Sequence, residues 1–206
     1  MHSNFAITIG RQFGSGGKDI GTSLAKKLNI AYYDKELIKE ASKESGFCEE
    51  IFENFDEKPT NSFLYSLVMD PYNSGFASNN FDVPLNHKVF LASYDTIKKL
   101  AEEKSCIFIG RCADYALENH ENCLDIFITA PIKERIERVA NRMELSVHKA
   151  KEIIQKTDKQ RAAYYNYYTT KKWGSIESYD LCINSSLLGI DGTVEYIVDL
   201  VKRQNA

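Results

Sequence analysis

Four glycines fall within the eight residues from Gly10 to Gly17, in the run Gly10-Arg11-Gln12-Phe13-Gly14-Ser15-Gly16-Gly17-Lys18-Asp19. Glycine at this density lets the backbone turn tightly and aim successive N–H groups inward. A β-rich run, Phe5 to Ile9, precedes it. A stretch with Ile20, Leu24 and Leu28 at helical spacing follows. The loop therefore joins a strand to a helix N-terminus, whose dipole adds partial positive charge. The chemistry this suits is phosphate binding in a backbone cradle. Two frames fit the pattern G-x-x-x-x-G-K-[ST]. If Gly17-Lys18 is the Gly-Lys pair, Asp19 takes the hydroxyl position and its carboxylate stands in for the Ser/Thr that reaches Mg²⁺. If Gly14-Ser15-Gly16 is the core, Gly17 stands where the lysine belongs. A purely structural role for the glycines, in strand–helix packing, stays open beside both.

Phosphoryl transfer asks for positioning and charge neutralisation more than covalent chemistry, and arginine suits it through its planar, permanently charged fork. Arg111 directly follows an apolar run and a glycine, which places it at the ligand edge of a sheet. Arg135, Arg138 and Arg142 share one helix face, with Arg135 one turn beyond a strand end. For Arg138 and Arg142 a solvated face with a Glu134–Arg138 pair is an equal alternative. Asp158 and Arg161, three apart, either serve a site or pair with each other. The run Tyr164, Tyr165, Tyr167, Tyr168, followed by Lys171, Lys172 and Trp173, reads first as a helix packing face and second as a base-stacking surface.

The elements that would position these residues alternate. Strands are expected at Phe5–Ile9, Ile30–Tyr33, Cys106–Ile109, Cys123–Thr129 and Tyr179–Asn184, with helices at about Lys18–Leu28, after Asp34, after Pro131 and at Ile190–Val201. Short apolar strands separated by helices imply a parallel sheet covered on both faces. Residues from about 57 to 86, with Pro59, Pro71 and Pro84, read as an irregular insertion, and residues from about 146 to 173 as a basic, Tyr-rich helical segment.

The 206 residues are 43% apolar and 27% charged with net charge −3, which suits one globular domain and gives no overall pull toward nucleic acid or acidic lipid. No apolar run approaches the roughly eighteen residues that span a bilayer, and no signal peptide is read at the N-terminus. Five cysteines without a C-x-x-C pattern suggest reduced thiols, with Cys106, Cys123 and Cys182 in the core, and a cytoplasmic address.

The chain resembles the cytidylate kinase-like family, within the P-loop nucleoside monophosphate kinases. The blocks that carry the likeness are Ile7–Gly17, Tyr32-Tyr33-Asp34-Lys35-Glu36-Leu37, Ile107–Asp114, Ala130–Arg135 with Arg138, and Asp158-Lys159-Gln160-Arg161. The resemblance implies a three-layer α/β/α fold with a five-stranded parallel sheet. It implies a core of residues 1–56, 87–145 and 174–206, a small substrate-binding insertion at about 57–86 and a helical lid at about 146–173. It implies ATP and Mg²⁺ as cofactors and a nucleoside monophosphate, CMP or dCMP first, as acceptor. ATP phosphates would meet Gly14, Ser15, Gly16, Gly17, Lys18 and Asp19, with Asp19 also the metal ligand. Asp34 and Arg111 would hold the acceptor and Asp158 a ribose hydroxyl, while Lys18, Arg135 and Arg161 would neutralise the transferred group. The position after Arg111 is an aspartate in the well-studied cytidylate kinases and Cys112 here, with Asp114 two residues on. Two other readings stay open: a kinase of the same fold for another small acceptor, and a non-catalytic nucleotide-binding protein.

Overall fold

The structure is a computed structural model and describes residues 4–46, 51 and 84–204. Most of the insertion expected at about 57–86 lies outside the described residues. The elements in chain order are β1 (Ala6–Arg11), α1 (Gly17–Leu28), β2 (Ala31–Tyr33), α2 (Glu36–Ser45), α3 (Leu85–Glu103), β3 (Cys106–Ile109), α4 (Ala113–Ala116), β4 (Cys123–Thr129), α5 (Ile132–Met143), α6 (Val147–Tyr168), a 3₁₀ turn (Ile176–Ser178), β5 (Leu181–Asn184) and α7 (Gly189–Gln204).

All strands pair in parallel in the order β2-β3-β1-β4-β5, with helices on both faces: the three-layer α/β/α fold the sequence implies. β1 is central. Ile7 pairs with Ile107 on one side and Leu124 on the other. Its side chains alternate as the pleat requires. Ile7 and Ile9 pack with Ile20 and Leu24 of α1 and Val194 and Ile197 of α7, whereas Ala6 joins Phe108 of β3 and Ile97 of α3 on the opposite face. Ile7, Ile9, Ile20 and Phe108 are fully buried. Truncating one of them to Ala would cost about 2–5 kcal/mol, so the strand end that carries the glycine loop rests on a stiff base.

β1 runs two residues past its expected end. Gly10 and Arg11 continue the ladder opposite Phe127 and Ile128 of β4. β5 is one of the two edge strands and begins at Leu181, and Cys182 on it is exposed, which corrects its expected place in the core. The segment from about 146 to 173 is dominated by one 22-residue helix, α6, with Ser146 Oγ accepting from Lys149 N–H at its start. Three of its tyrosines, Tyr164, Tyr165 and Tyr168, are buried against Phe90 and Cys112. Phe90 and Tyr168 stack at 4.2 Å between ring centroids. The Tyr run is thus mainly a packing face.

Candidate functional site

The chain leaves β1 toward β2 on one side of the sheet and leaves β3 toward β4 on the other, so the carboxyl end of β1 is where an open α/β sheet leaves a crevice. A cleft of about 320 Å³ lies there, lined by the glycine loop, Asp34, Arg111, Arg138, Arg142 and Arg161, among others. Its size falls in the range of roughly 300–1,000 Å³ usual for small-molecule sites.

The loop's shape depends on two left-handed residues, Gly14 at φ 79° and Gly16 at φ 84°. A Cβ on Gly14 would lie 2.8 Å from Val139 Cγ2, and one on Gly16 would run into Ile190 Cδ1. Gly16 caps α1. The amides of Gly17, Lys18 and Asp19 make up the first helical turn, where no intrahelical acceptor exists, so they are available to an anion.

The loop is tied down on every side. Gln12 N–H donates to Ile128 O at 3.0 Å, and its side-chain oxygen accepts from Thr129 Oγ1 at 2.5 Å. Ser185 Oγ donates to Ser15 O at 2.6 Å. From α6, Asp158 Oδ1 accepts from Phe13 N–H at 2.7 Å, while Asp158 Oδ2 lies 2.6 Å from Arg135 Nη1. Arg135 Nη1 also donates to Phe13 O at 3.1 Å. Arg138 donates to Gly14 O. Arg161 donates to Arg11 O at 3.2 Å and lies over the Phe13 ring, 5.6 Å from its centroid.

These contacts settle the pairings the sequence left open. Asp158 pairs with Arg135 and not with Arg161. Arg138 and Arg142 turn toward the loop, where Arg142 Nη2 lies 2.5 Å from Asp19 Oδ2. Arg135 and Asp158 sit behind the loop as a clasp, whereas Lys18, Asp19, Asp34, Arg111 and Arg161 line the cleft itself.

Asp34 follows β2 and is buried. Its carboxylate receives Lys18 Nζ at 2.7 Å and faces Arg111 Nη1 at 3.5 Å. Burial pushes its carboxyl up, but the Lys18 hydrogen bond and the charges of Arg111 and Arg11 outweigh that and hold it below the ordinary carboxylate range. Lys18 is correspondingly raised, first by its bond to Asp34. Asp34 is thus a fixed anion and no proton carrier at neutral pH.

Gly110, Arg111 and Cys112 occupy three successive left-handed conformations, at φ 68°, 55° and 56°. A non-glycine residue there costs about 1–2 kcal/mol, and such strain gathers at functional sites. The bend is held by Arg111 Nη1, which donates to Asp34 O and to Ile109 O, and by Cys112 packing under Tyr164 and Tyr165. Asp114, the second residue of the short α4, turns into the protein, where its carboxylate accepts from the Tyr165 hydroxyl. Burial pushes its carboxyl up to about 6.

Arg11, Gln12 and Ser185 also shape the site, and nothing in the sequence singles them out. Arg11 and Gln12 were visible only as variable positions inside a glycine pattern. Ser185 carried no local signal, since its bond to Ser15 O spans 170 residues.

Residues 6–187 match the family described as the cytidylate kinase-like family. The cytidylate kinase of Thermococcus kodakarensis is 38% identical over 96 residues, which are 45% of this chain and 47% of that protein. That of Pyrococcus horikoshii is 34% identical over 93 residues, again 45% and 47%. The aligned part thus spans about half the length of these curated relatives. Among solved structures, an uncharacterized protein from Eubacterium ventriosum superposes with a TM-score of 0.71 at 25% identity, covering 97% of this chain and 99% of that one. A shikimate kinase from Bacteroides thetaiotaomicron shares the fold at 13% identity, with a TM-score of 0.54 and 96% and 98% coverage.

Proposed function

The chain belongs to the cytidylate kinase-like family, and from that premise we propose that it transfers the terminal phosphoryl group of ATP to a nucleoside monophosphate, with CMP or dCMP as the first acceptor to test. The observation that carries this reading is the glycine loop opening into a cleft whose walls carry cations, among them Lys18, Arg111, Arg138 and Arg161.

The residues fit a polyphosphate. Two positive-φ glycines shape the loop, where a Cβ would collide with the packed side chains of Val139 or Ile190, and the first-turn amides of α1 are left for an anion. Two buried polar atoms, Ser15 Oγ and Arg135 Nε, have no hydrogen-bond partner among the described residues and lie on the loop and on its clasp. Mg²⁺ binds hard oxygen ligands and usually needs only one or two carboxylates beside phosphates and water. Asp19, on the cleft wall, is the carboxylate offered, and the metal would screen charge between the phosphates.

The acceptor's phosphate would lie toward Arg111 and Lys18, at the ends of β3 and the first turn of α1. Its attacking oxygen is already anionic, so no general base is needed. Asp34, held ionised, positions those two cations and takes no proton. Arg138 and Arg161 sit where charge on the transferred group would be met by fixed donors. Helices α5 and α6 form the side of the cleft that would exclude water during transfer. Arg135 and Asp158 act on the loop behind the phosphates.

A second reading, a different small acceptor, is favoured by one observation. The carboxylate nearest in sequence to the base-reading position, Asp114, is engaged with Tyr165 inside the protein. The test is an ATP-consumption assay with CMP, dCMP, UMP and AMP, then with other phosphorylated or hydroxylated acceptors. Turnover confined to CMP and dCMP supports the first reading, and turnover only with another acceptor supports the second. ATP binding without turnover on any acceptor would mean a nucleotide-binding protein that is not a kinase.

A further inference from the structure

The helical register decides between the two frames of the glycine motif. In a strand–loop–helix phosphate site the lysine directly follows the last glycine, at the helix start. Here Gly16 caps α1 and Gly17 is its first residue. The lysine's place is therefore held by a residue with no side chain. Lys18, one position on, is drawn sideways to Asp34 at 2.7 Å.

The space into which a side chain at 17 would grow is already taken. A Cβ on Gly17 would lie 2.6 Å from Arg11 Cβ and 3.1 Å from Arg11 Cγ. Arg11 ends β1 and continues the row Ile7, Ile9, Arg11 that faces α1. It is only 9% exposed and is part of the cleft wall. Its charge reaches Asp34 across the cleft and helps to hold that carboxylate ionised. Its backbone is fixed too, by Arg161 on Arg11 O and by pairing with Ile128.

We propose that Arg11 supplies the phosphate-neutralising cation of this loop, from the end of the strand, in exchange for the lysine that Gly17 replaces. Gly17 is required because the Arg11 stem passes over it. The exchange substitutes a planar fork able to bind two phosphate oxygens for the point charge of an ammonium. Lys18 is left to position Asp34 and to face the acceptor. This inference rests on the loop being a triphosphate site, as set out under Proposed function.

The test compares binding of Mg·ATP to the wild-type chain, Arg11→Gln, Arg11→Lys, Lys18→Ala, Gly17→Lys and the exchange Arg11→Ala/Gly17→Lys, by calorimetry and with melting temperatures recorded. Arg11→Gln is expected to weaken ATP binding by about ten- to hundredfold, the range of a lost charge-assisted hydrogen bond. Lys18→Ala should weaken it less, and Arg11→Lys should retain part of it. Gly17→Lys alone should be destabilised by collision with the Arg11 stem. The exchange should fold and recover ATP binding relative to Arg11→Gln. If the wild type binds ATP and Arg11→Gln binds it equally well, the inference is overturned while the phosphate site stands. A folded exchange variant that recovers no ATP binding overturns it as well, even where Arg11→Gln does not fold. If the wild type binds no ATP, the triphosphate reading itself falls, and this inference with it.

Discussion

Replacing Asp158 by Asn separates a clasp from a ligand contact. The Asp158 carboxylate accepts Phe13 N–H at 2.7 Å and faces Arg135 at 2.6 Å. Their side chains are 17% and 8% exposed. An Asn can still accept from Phe13 N–H, but it leaves the Arg135 guanidinium buried without a counter-charge. Removing one partner of a buried pair costs about 3–5 kcal/mol. Arg135 also donates to Phe13 O at 3.1 Å, and Asp158 is not fully enclosed, so the lower end, about 3 kcal/mol, is expected. For a chain of 206 residues that corresponds to a melting point lower by roughly 6–12 °C. Urea denaturation and thermal melting measure the loss, and a cycle with Arg135→Gln tests the coupling, because the double variant should lose much less than the two single losses added. ATP affinity should fall only through a loosened loop. A ribose contact, the role implied by family resemblance, predicts the reverse. If Asp158→Asn keeps wild-type stability to within about 0.5 kcal/mol and weakens ATP binding alone, the clasp argument is wrong.

Other expectations follow from single contacts. Gly16→Ala forces a Cβ into a left-handed residue and against Ile190 Cδ1; it should lose at least about 1–2 kcal/mol in urea unfolding, partly recovered by Ile190→Ala, and a neutral Gly16→Ala would refute the loop geometry. Asp114 is raised from 3.8 to about 6 by burial, so the folded state holds its proton more tightly than the unfolded. Its favourable contribution is complete below 3.8 and is lost as pH rises through about 6, to a limit of about 3 kcal/mol. The stability difference between wild type and Asp114→Asn should therefore move in favour of the variant across that window, and a pH-independent difference would contradict the assignment. Lys18→Ala removes one of the groups that hold Asp34 low, so the Asp34 carboxyl should titrate at a higher pH in a carbon-13 NMR titration; an unchanged titration would show that the Lys18–Asp34 bond does not persist in solution.

The sheet was legible because its strands are short β-rich runs with clear ends. β3 and β4 occupy the residues read for them, Cys106–Ile109 and Cys123–Thr129. The sequence signals too short a β1 because Gly10 looks like a stop, yet glycine is what lets Phe127 and Tyr179 pack against that strand: a Cβ there would lie 2.9 Å from Phe127 Cδ2. Cys182 looked like core because its run is apolar, but burial of β5 depends on its place at the sheet edge, which local sequence does not encode. The glycine loop is visible in the sequence as a cluster of glycines between strand and helix. Its cations were harder to sort. Arg135 and Asp158 are 23 residues apart and meet only because α5 and α6 fold back together. Arg11 carries no pattern of its own; what marks it is the side chain missing from Gly17, and that becomes evident only once β1 and α1 are set against each other.

Phosphoryl transfer at this cleft requires the backbone between residues 10 and 19 to grip a triphosphate. The most direct measurement is a titration of nitrogen-15-labelled protein with a non-hydrolysable ATP analogue and Mg²⁺, followed through the amide resonances. Saturable shifts are expected, centred on Gly14, Ser15, Gly16, Gly17, Lys18 and Asp19 and reproduced in smaller measure by inorganic triphosphate. Saturable binding that leaves those six amides unmoved, or no binding at all, would contradict that grip.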